Sequence, residues 1–458
     1  MAERRLTPGW RAPLLSLRMM GGSVLDRLRL APAPAIPEVA PRESAQAPQV
    51  TRPLQIERPT LRWRAIVLQA GALWLVTRIA FVVLTYFGVL LIQRGTPTGS
   101  LPIGPHEMLN DWKHWDVIWY INIASMGYWR PEASAFFPLY PLLIKGATLF
   151  FGQHWLFAAM VVSNLGTLAA FIGLALWASQ DDFSPAIGVS TVRMVAAYPY
   201  ALFLFAGYSD SLFLALVAFT FFFLRRASWR WAIVCGVLAG LERPTAFALV
   251  LPMLWEYGRQ HGWWDRARWE RLTHAWRRAV PGLRELAQGA LVAGAVPIGF
   301  AFYGAFLLWR FGHPKIFLFE ERIYWHHTFM NPVQSLVAIV GQIVSTPMWT
   351  HWQAHQLLDF VPVAAFAVLT VVLARRMPLA YTLYMVVVLL LSICSPITEG
   401  RPDLLTSAGR YMLAALPIFL QLGRWAHRYA WLDMLLVSTG FMVQAVLTVA
   451  FLRGDWII

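Results

Sequence analysis

Cysteine is nearly absent: 458 residues carry two, Cys235 and Cys394. Both sit inside apolar stretches, which excludes a disulfide framework and marks them as core residues. Also missing are a Gly-rich phosphate loop, an H-E-x-x-H pair and a nucleophile elbow, so nothing in the chain supports an ATPase, a zinc protease or a serine hydrolase. No internal inverted repeat of the kind transporters use is visible. The first sixty residues hold no continuous apolar run followed by a small-residue cleavage site, so no removed signal peptide is expected. Charge is sparse as well, at 14% of residues.

What is abundant is apolar surface. The chain is 58% hydrophobic and contains 23 Trp, the composition of an all-α polytopic membrane protein. The net charge of +14 invites a nucleic-acid reading. Against it, the basic residues gather in short loops between apolar runs and in the N-terminal segment, as positive-inside sorting requires. No nucleic acid is expected as a partner; membrane lipids are. Runs long enough to span lie at roughly 63–93, 155–178, 187–205, 208–224, 286–311, 356–375, 378–396, 408–424 and 430–452. Two more are ambiguous, 136–151 and 231–257, giving about 9–11 spans. Holding 136–151 on the outer surface and folding 231–257 into a hairpin puts 25 of the 38 Lys and Arg on one side. This assignment places the N-terminus inside and the C-terminus outside. Residues 1–62 then form a mobile basic cytoplasmic tail, with a short amphipathic helix at 13–30, and 63–458 the membrane domain. The first outer loop covers about 94–154.

The stretch Asp111–Pro141, D-W-K-H-W-D-V-I-W-Y-I-N-I-A-S-M-G-Y-W-R-P-E-A-S-A-F-F-P-L-Y-P, is too polar and too broken by proline to cross a bilayer. At about 100° per residue its first half predicts one amphipathic helix with Trp112, Trp115, Trp119 and Ile123 in a stripe. Such a helix lies flat at a membrane surface. Asp116 falls about 40° from Trp112 and about 20° from Ile123, on the flank of that stripe. A carboxylate there loses solvation unless something pairs with it or uses it. It reads either as a helix N-terminal charge paired with Lys113 or His114, or as a catalytic base at the lip of the membrane.

Three further outer loops carry charge. The turn A-G-Y-S-D-S-L holds Asp210; the loop 312–332 holds Glu320, Glu321, His326 and His327; the loop 397–411 ends in A-G-R-Y. Asp116 and Asp210 together suit a site in which one removes a proton from a hydroxyl acceptor while the other orients it or holds a cation. Arg243 in L-E-R-P-T and Arg410 in A-G-R-Y lie within or at the end of apolar runs and are candidates to hold a phosphate. The alternatives are an Arg243–Glu242 bridge and a snorkelling helix-end charge at Arg410. His326 and His327 are adjacent and point to different faces, which disfavours a metal site; a loop that contacts an acceptor fits them better. No cofactor is required, and a divalent metal stays an open question.

H-W-D-V-I-W-Y-I-N-I-A-S-M-G-Y followed by A-F-F-P-L-Y-P-L resembles the signature after the first span in the GPI-anchor second mannosyltransferase family and its bacterial relatives, of the GT-C superfamily. Y-S-D-S-L-F at 208–213, Arg243-Pro244-Thr245 and Arg410-Tyr411 follow in the family's order, and the resemblance covers about 65–424. The turn has Asp210 where Glu is commoner in the family, and Ala246 follows R-P-T where Gly is common. The resemblance implies a GT-C bundle with amphipathic surface helices in the first outer loop, and it puts the catalytic acid on Asp116 rather than Asp111. It also implies substrate contacts from His114, Trp115, Tyr128 and Tyr411. The donor would be a sugar, most often mannose, on a polyprenyl phosphate, and the acceptor a hydroxyl of a glycolipid, glycan or protein. One base and direct attack imply inversion. The resemblance also implies an active-site loop on the periplasmic side of a bacterial inner membrane. A lipid-linked sugar flippase without transferase activity is the competing reading, since it too would keep intramembrane arginines.

Overall fold

A computed structural model of the chain describes residues 63–91, 104–182, 184–264, 282–398 and 403–457. The expected N-terminal tail and its helix at 13–30 lie outside them, as does most of the basic segment 257–286. Among the described residues the secondary structure is helical, with only isolated bridges joining His327 to Ile397 and Ile397 to Asp403. The protein is an all-α polytopic membrane protein.

In chain order the helices are α1 Trp63–Leu91, α2 Pro105–Asn110, α3 Asp116–Met126, α4 Leu139–Phe151, α5 Trp155–Asp182, α6 Pro185–Ala196, α7 Asp210–Arg225, α8 Trp229–Gly240 and α9 Val250–Gln260. They continue with α10 Leu283–Phe311, α11 Ile316–Ile323, α12 Pro332–Ser345, α13 His351–Leu373, α14 Leu379–Ile393, α15 Ala408–Tyr411, α16 Leu416–Arg428 and α17 Ala430–Leu452. Five of these, α1, α5, α10, α13 and α17, are long and apolar enough to cross a membrane. Other expected spans are interrupted. The run 187–205 breaks at Pro199 into α6 and a 3-10 turn, Pro199–Leu204. The run 408–424 breaks into α15, a 3-10 turn at Met412–Ala414, and α16, which starts with Pro417 in its first turn. Each proline lacks the N–H that a continuing helix would need. Cys235 and Cys394 are buried and free, as their apolar settings predicted.

Two ends of the bundle can be told apart by their side chains. At one, ionic and polar contacts tie helix termini together. Arg225 donates to Asp181 at 2.8 Å and to Glu256 at 3.5 Å; Tyr381 donates to Asp181; Arg424 donates to Asp182 at 2.8 Å. These pairs link α5, α7, α9, α14 and α16. At the other end, the loop 104–138, the start of α7 and the turn after α8 meet. The amide of Leu139 donates to the Leu241 carbonyl at 3.1 Å, which fixes the start of α4 on that turn.

The two ambiguous segments each form short helices rather than one long one. Tyr140 in the first turn of α4 bonds the Ala159 carbonyl at 2.8 Å, and Phe151 at its end packs on Phe157, so α4 stays beside the first turns of α5. Trp229 at the start of α8 packs on Tyr257 near the end of α9. The pair α8–α9 is therefore a hairpin that rises to the loop end, turns through the 3-10 helix Pro244–Leu249 and returns. Its two small-residue contacts are tight: a Cβ on Gly240 would meet the Val296 carbonyl of α10 at 2.4 Å. Single cysteines at the exposed positions Ser125 and Arg230, with Cys235 and Cys394 replaced by alanine, are expected to react from opposite sides with a membrane-impermeant maleimide. Labelling of both from one side would overturn the two-ended arrangement.

Candidate active site

The helix expected through Trp112, Trp115 and Trp119 is not continuous. The chain leaves α2 at Asp111, and Trp115 takes φ 53°, ψ −121°, a left-handed setting that breaks the helical phase before α3 starts at Asp116. Trp112 is buried; it sits against Phe81, Phe205 and Phe451 and donates its indole N–H to Thr85 at 3.2 Å. Asp111 therefore does not share a helix with Asp116, and the 140° separation implied by one continuous helix does not apply. Asp116 is the first residue of α3, where the helix dipole and free amides favour a carboxylate. Its surroundings differ from those its neighbours in sequence implied.

Asp116 pairs with neither Lys113 nor His114 but with Arg410, 294 residues away, whose Nη1 donates to Oδ2 at 2.9 Å. The same guanidinium gives Nε to Asp210 Oδ2 at 3.1 Å, with Nη2 at 2.9 Å from that oxygen. Arg243 donates through Nη1 to the other oxygen of Asp210 at 2.9 Å and through Nη2 to Ser209 Oγ at 2.6 Å. Ser209 lies 2.8 Å from the hydroxyl of Tyr120 on α3, closing the ring. The expected Arg243–Glu242 bridge does not form. Glu242 is buried, and neither of its carboxylate oxygens finds a well-aligned partner among the described residues. The Arg410 alternative fails too: its side chain is 5% exposed and does not snorkel.

The four charged groups thus form an interlocked chain, Asp116–Arg410–Asp210–Arg243, of zero net charge. Such balance lets ionised groups sit in an apolar setting, because each carboxylate and guanidinium is hydrogen-bonded as well as paired. Aromatic faces close the remaining sides: Arg410 lies 4.5 Å from the Tyr208 ring and 5.0 Å from Phe203, and Arg243 lies 5.3 Å from Phe213. Exposure separates the two acids. The Asp210 side chain is 1% exposed and takes bonds on both oxygens; Asp116 is 24% exposed and is bonded by Arg410 on one. Asp116 is the more accessible of the two carboxylates. The fifteen helical steps of α7 put about 22 Å between Asp210 and the ion network at Arg225, so the two polar clusters lie at opposite ends of that helix.

The other residues fall in two groups. His114 and Trp115 belong to the rim: His114 packs edge-on to Phe451, Trp115 on Trp456, and the buried His114 Nε2 and Trp115 Nε1 have no partner among the described residues. Tyr411 follows Arg410 directly and is partly buried. Tyr128 is placed differently. Its hydroxyl donates to the Phe136 carbonyl at 2.6 Å, and its ring packs on Tyr303 and Phe306, so it braces the loop rather than opening onto the cluster.

Sequence reasoning passed over Glu321 as an individual residue. The bridges His327–Ile397 and Ile397–Asp403 join the loop 312–332 to the loop before α15, and the His327 ring lies 3.9 Å from Glu321. Desolvation and the Asp116 carboxylate both raise Glu321 above the usual carboxylate range, while His327 works the other way. Its signal in the sequence was only a charge in a loop, indistinguishable from a solvated one. Among the described residues no group of three or more His, Cys, Asp or Glu is placed to hold a metal. Backbone strain gathers here: of five non-glycine residues with positive φ, Trp115, His326 and Ser407 lie next to Asp116, next to His327, and three residues before Arg410. Residues held in that region cost on the order of 1–3 kcal/mol each and cluster at functional sites.

Comparison with known proteins adds little to this geometry. No family model matches the chain, and no curated protein sequence does. A crystal structure of the Archaeoglobus fulgidus oligosaccharyltransferase, tethered to an acceptor peptide containing the NVT sequon, is similar to it with a TM-score of 0.34 and 12% identity. The match covers 83% of this chain and 55% of that one, so the chain spans about half the length of that enzyme. A likeness at that level leaves the functional reading to the residues themselves.

Proposed function

We propose that the protein is a membrane glycosyltransferase of GT-C type that moves a sugar, mannose in the first instance, from a polyprenyl phosphate to a hydroxyl acceptor with inversion. One observation carries the reading. The four motifs that gave the resemblance, W-D, Y-S-D, R-P-T and R-Y, are spread over 294 residues, and their charged members meet in one hydrogen-bonded chain. A set of structural ion pairs gives no reason for these four motifs in particular to converge.

The chemistry follows from the positions. Asp116 accepts the proton of the acceptor hydroxyl on the oxygen that Arg410 leaves open. The hydroxyl oxygen bonds to the anomeric carbon from the face opposite the phosphate, and the carbon–oxygen bond to phosphate breaks with its electron pair leaving on the polyprenyl phosphate. Arg410 holds Asp116 aimed. It spends three of its five N–H groups on carboxylates and is 5% exposed, so it serves to position rather than to bind phosphate. Asp210 anchors both guanidiniums. Arg243, 13% exposed, spends two of its five N–H groups on Asp210 and Ser209 and has donors left for a phosphate oxygen. The active face is the loop end, placed on the extracytoplasmic side by the charge distribution.

The direct test is sugar release from labelled polyprenyl-phosphate mannose by the purified protein, with and without a hydroxyl acceptor. Absence of both hydrolysis and transfer in folded protein, with other polyprenyl-linked sugars also inert, would sink the reading in favour of a flippase. Arg243→Lys separates the phosphate role from a structural one. It keeps the charge near Asp210 and loses the fork, so donor affinity is expected to fall roughly tenfold or more while the melting temperature barely moves. Normal donor affinity in that variant would remove Arg243 from the donor site.

A further inference from the structure

The buried face of α13 changes character along its length. Towards the opposite end it is apolar or small, with Val363, Phe366 and Thr370; its first turns bury His355, Gln356 and Asp359 instead. Spacings of three and four residues put these six on one stripe. All three polar residues are at least nine-tenths buried. Nineteen buried side-chain polar atoms lack a partner among the described residues, and five of them are here: both ring nitrogens of His355, both amide atoms of Gln356 and Oδ2 of Asp359. A helix that needed only to pack would carry apolar residues at these positions.

The rest of the cluster fixes where it lies. Asp359 Oδ1 accepts from the amide of Gly409 at 2.7 Å and from the hydroxyl of Tyr200 at 3.1 Å. Position 409 must be small, because a Cβ there would lie 2.5 Å from the Tyr200 ring and 2.7 Å from that same carboxylate oxygen. The buried Asp403 is close enough to act electrostatically on His355, Asp359 and Tyr200 alike. Trp352 stacks on the His355 ring, with centroids 5.4 Å apart and planes 6° from parallel. One peptide bond separates Gly409 from Arg410, whose side chain holds Asp116. The unpartnered atoms and the proposed base thus share a single short segment.

We propose that the first turns of α13, with Tyr200 and Asp403, form a binding site for the hydroxyls of a neutral hexose ring. The chemistry selects that class. None of these side chains is a lysine or an arginine, so nothing among them would hold a phosphate. A carboxyl group, an amide that donates and accepts and an imidazole that does both match hydroxyl groups, each of which donates and accepts. This site deepens the transferase reading and rests on it only for which sugar arrives, donor or acceptor.

The test separates the two ideas. The purified full chain in detergent is mixed with methyl α-D-mannopyranoside, or with the glucoside, and saturation transfer to the sugar protons is recorded. The wild type and Asp111→Asn are expected to give the same signal. Asp359→Asn, which keeps an oxygen for Gly409 and replaces Oδ2 by an amide nitrogen, is expected to lose at least about fivefold, as one buried hydrogen bond to the ligand is removed. His355→Phe keeps the stacking on Trp352 and is expected to lose a similar factor, so the result stands even if one variant fails to fold. No saturation by either sugar in folded wild type, or full signal in both variants, overturns the site and leaves ordered water as its only occupant. With polyprenyl-phosphate mannose as substrate, a rise in donor KM alone assigns the ring to the donor, and a rise in acceptor KM alone to the acceptor. Sugar binding lost in these variants, in a protein that transfers nothing, keeps the site and sinks the transferase.

Discussion

Asp116→Asn is expected to lower single-turnover sugar transfer by at least about 100-fold while leaving donor affinity nearly intact. Asparagine keeps the size of the side chain and can still accept from Arg410, so the link to the buried cluster survives. What it cannot do is take a proton on the open oxygen. Arg410 retains two contacts to Asp210, at 3.1 and 2.9 Å, and stays paired. Stability should therefore change little, and a loss of turnover would report chemistry. A purely structural Asp116 gives the opposite pattern: lower expression or melting temperature, with normal turnover in the fraction that folds. Asp111→Asn, at the end of α2 in a separate helix, is the control and is expected to transfer at close to the wild-type rate.

Asp210→Asn should fail for a different reason. Asp210 is buried and is the carboxylate that both Arg243 and Arg410 share. Removing its charge leaves two buried guanidiniums with Asp116 as the one acid still paired to the cluster. Breaking a buried pair by deleting one partner costs about 3–5 kcal/mol. Thermal unfolding in detergent is expected to show that loss, and expression to fall. The triple replacement Asp210→Leu, Arg243→Met, Arg410→Met removes the stranded charges and is expected to recover most of the stability with no transfer activity. An Asp210→Asn protein as stable as the wild type would mean that the anchor role belongs to another group.

Much of this site was legible because burying a charge is expensive. Asp116, Asp210, Arg243 and Arg410 each interrupt or border an apolar run, and a membrane protein keeps such residues only with a partner or a task. Proline and the polar L-E-R-P-T turn marked where 136–151 and 231–257 would be short helices rather than single long ones. Other features had no local signal. The left-handed Trp115 breaks the helical phase that Trp112 and Trp119 imply, since a tryptophan at positive φ is not written in any spacing rule. Partner choice was hidden as well: Glu242 is adjacent to Arg243 in sequence, yet the bonding partner lies 33 residues earlier. The polar turn of α13 sits at the head of an apolar run and was absorbed into a span. The apolar helix α12, Pro332–Ser345, is too short to register as a span.

The span of the site along the chain also sets a timetable for its biogenesis. Asp116 and Arg410 are 294 residues apart, and ribosomes add about 5–20 residues per second. Roughly 15–60 seconds therefore pass between the emergence of the acid and of the cation that fastens it. Through that interval Asp116 has water for company at the bilayer surface, whereas Asp210 has only Arg243 to balance it. The helices that carry the first three motifs must insert and wait, held by their apolar packing, until the R-Y segment arrives and locks them. A chain stalled before residue 410 would leave Asp116 without its guanidinium and Asp210 with Arg243 as its remaining partner in the cluster.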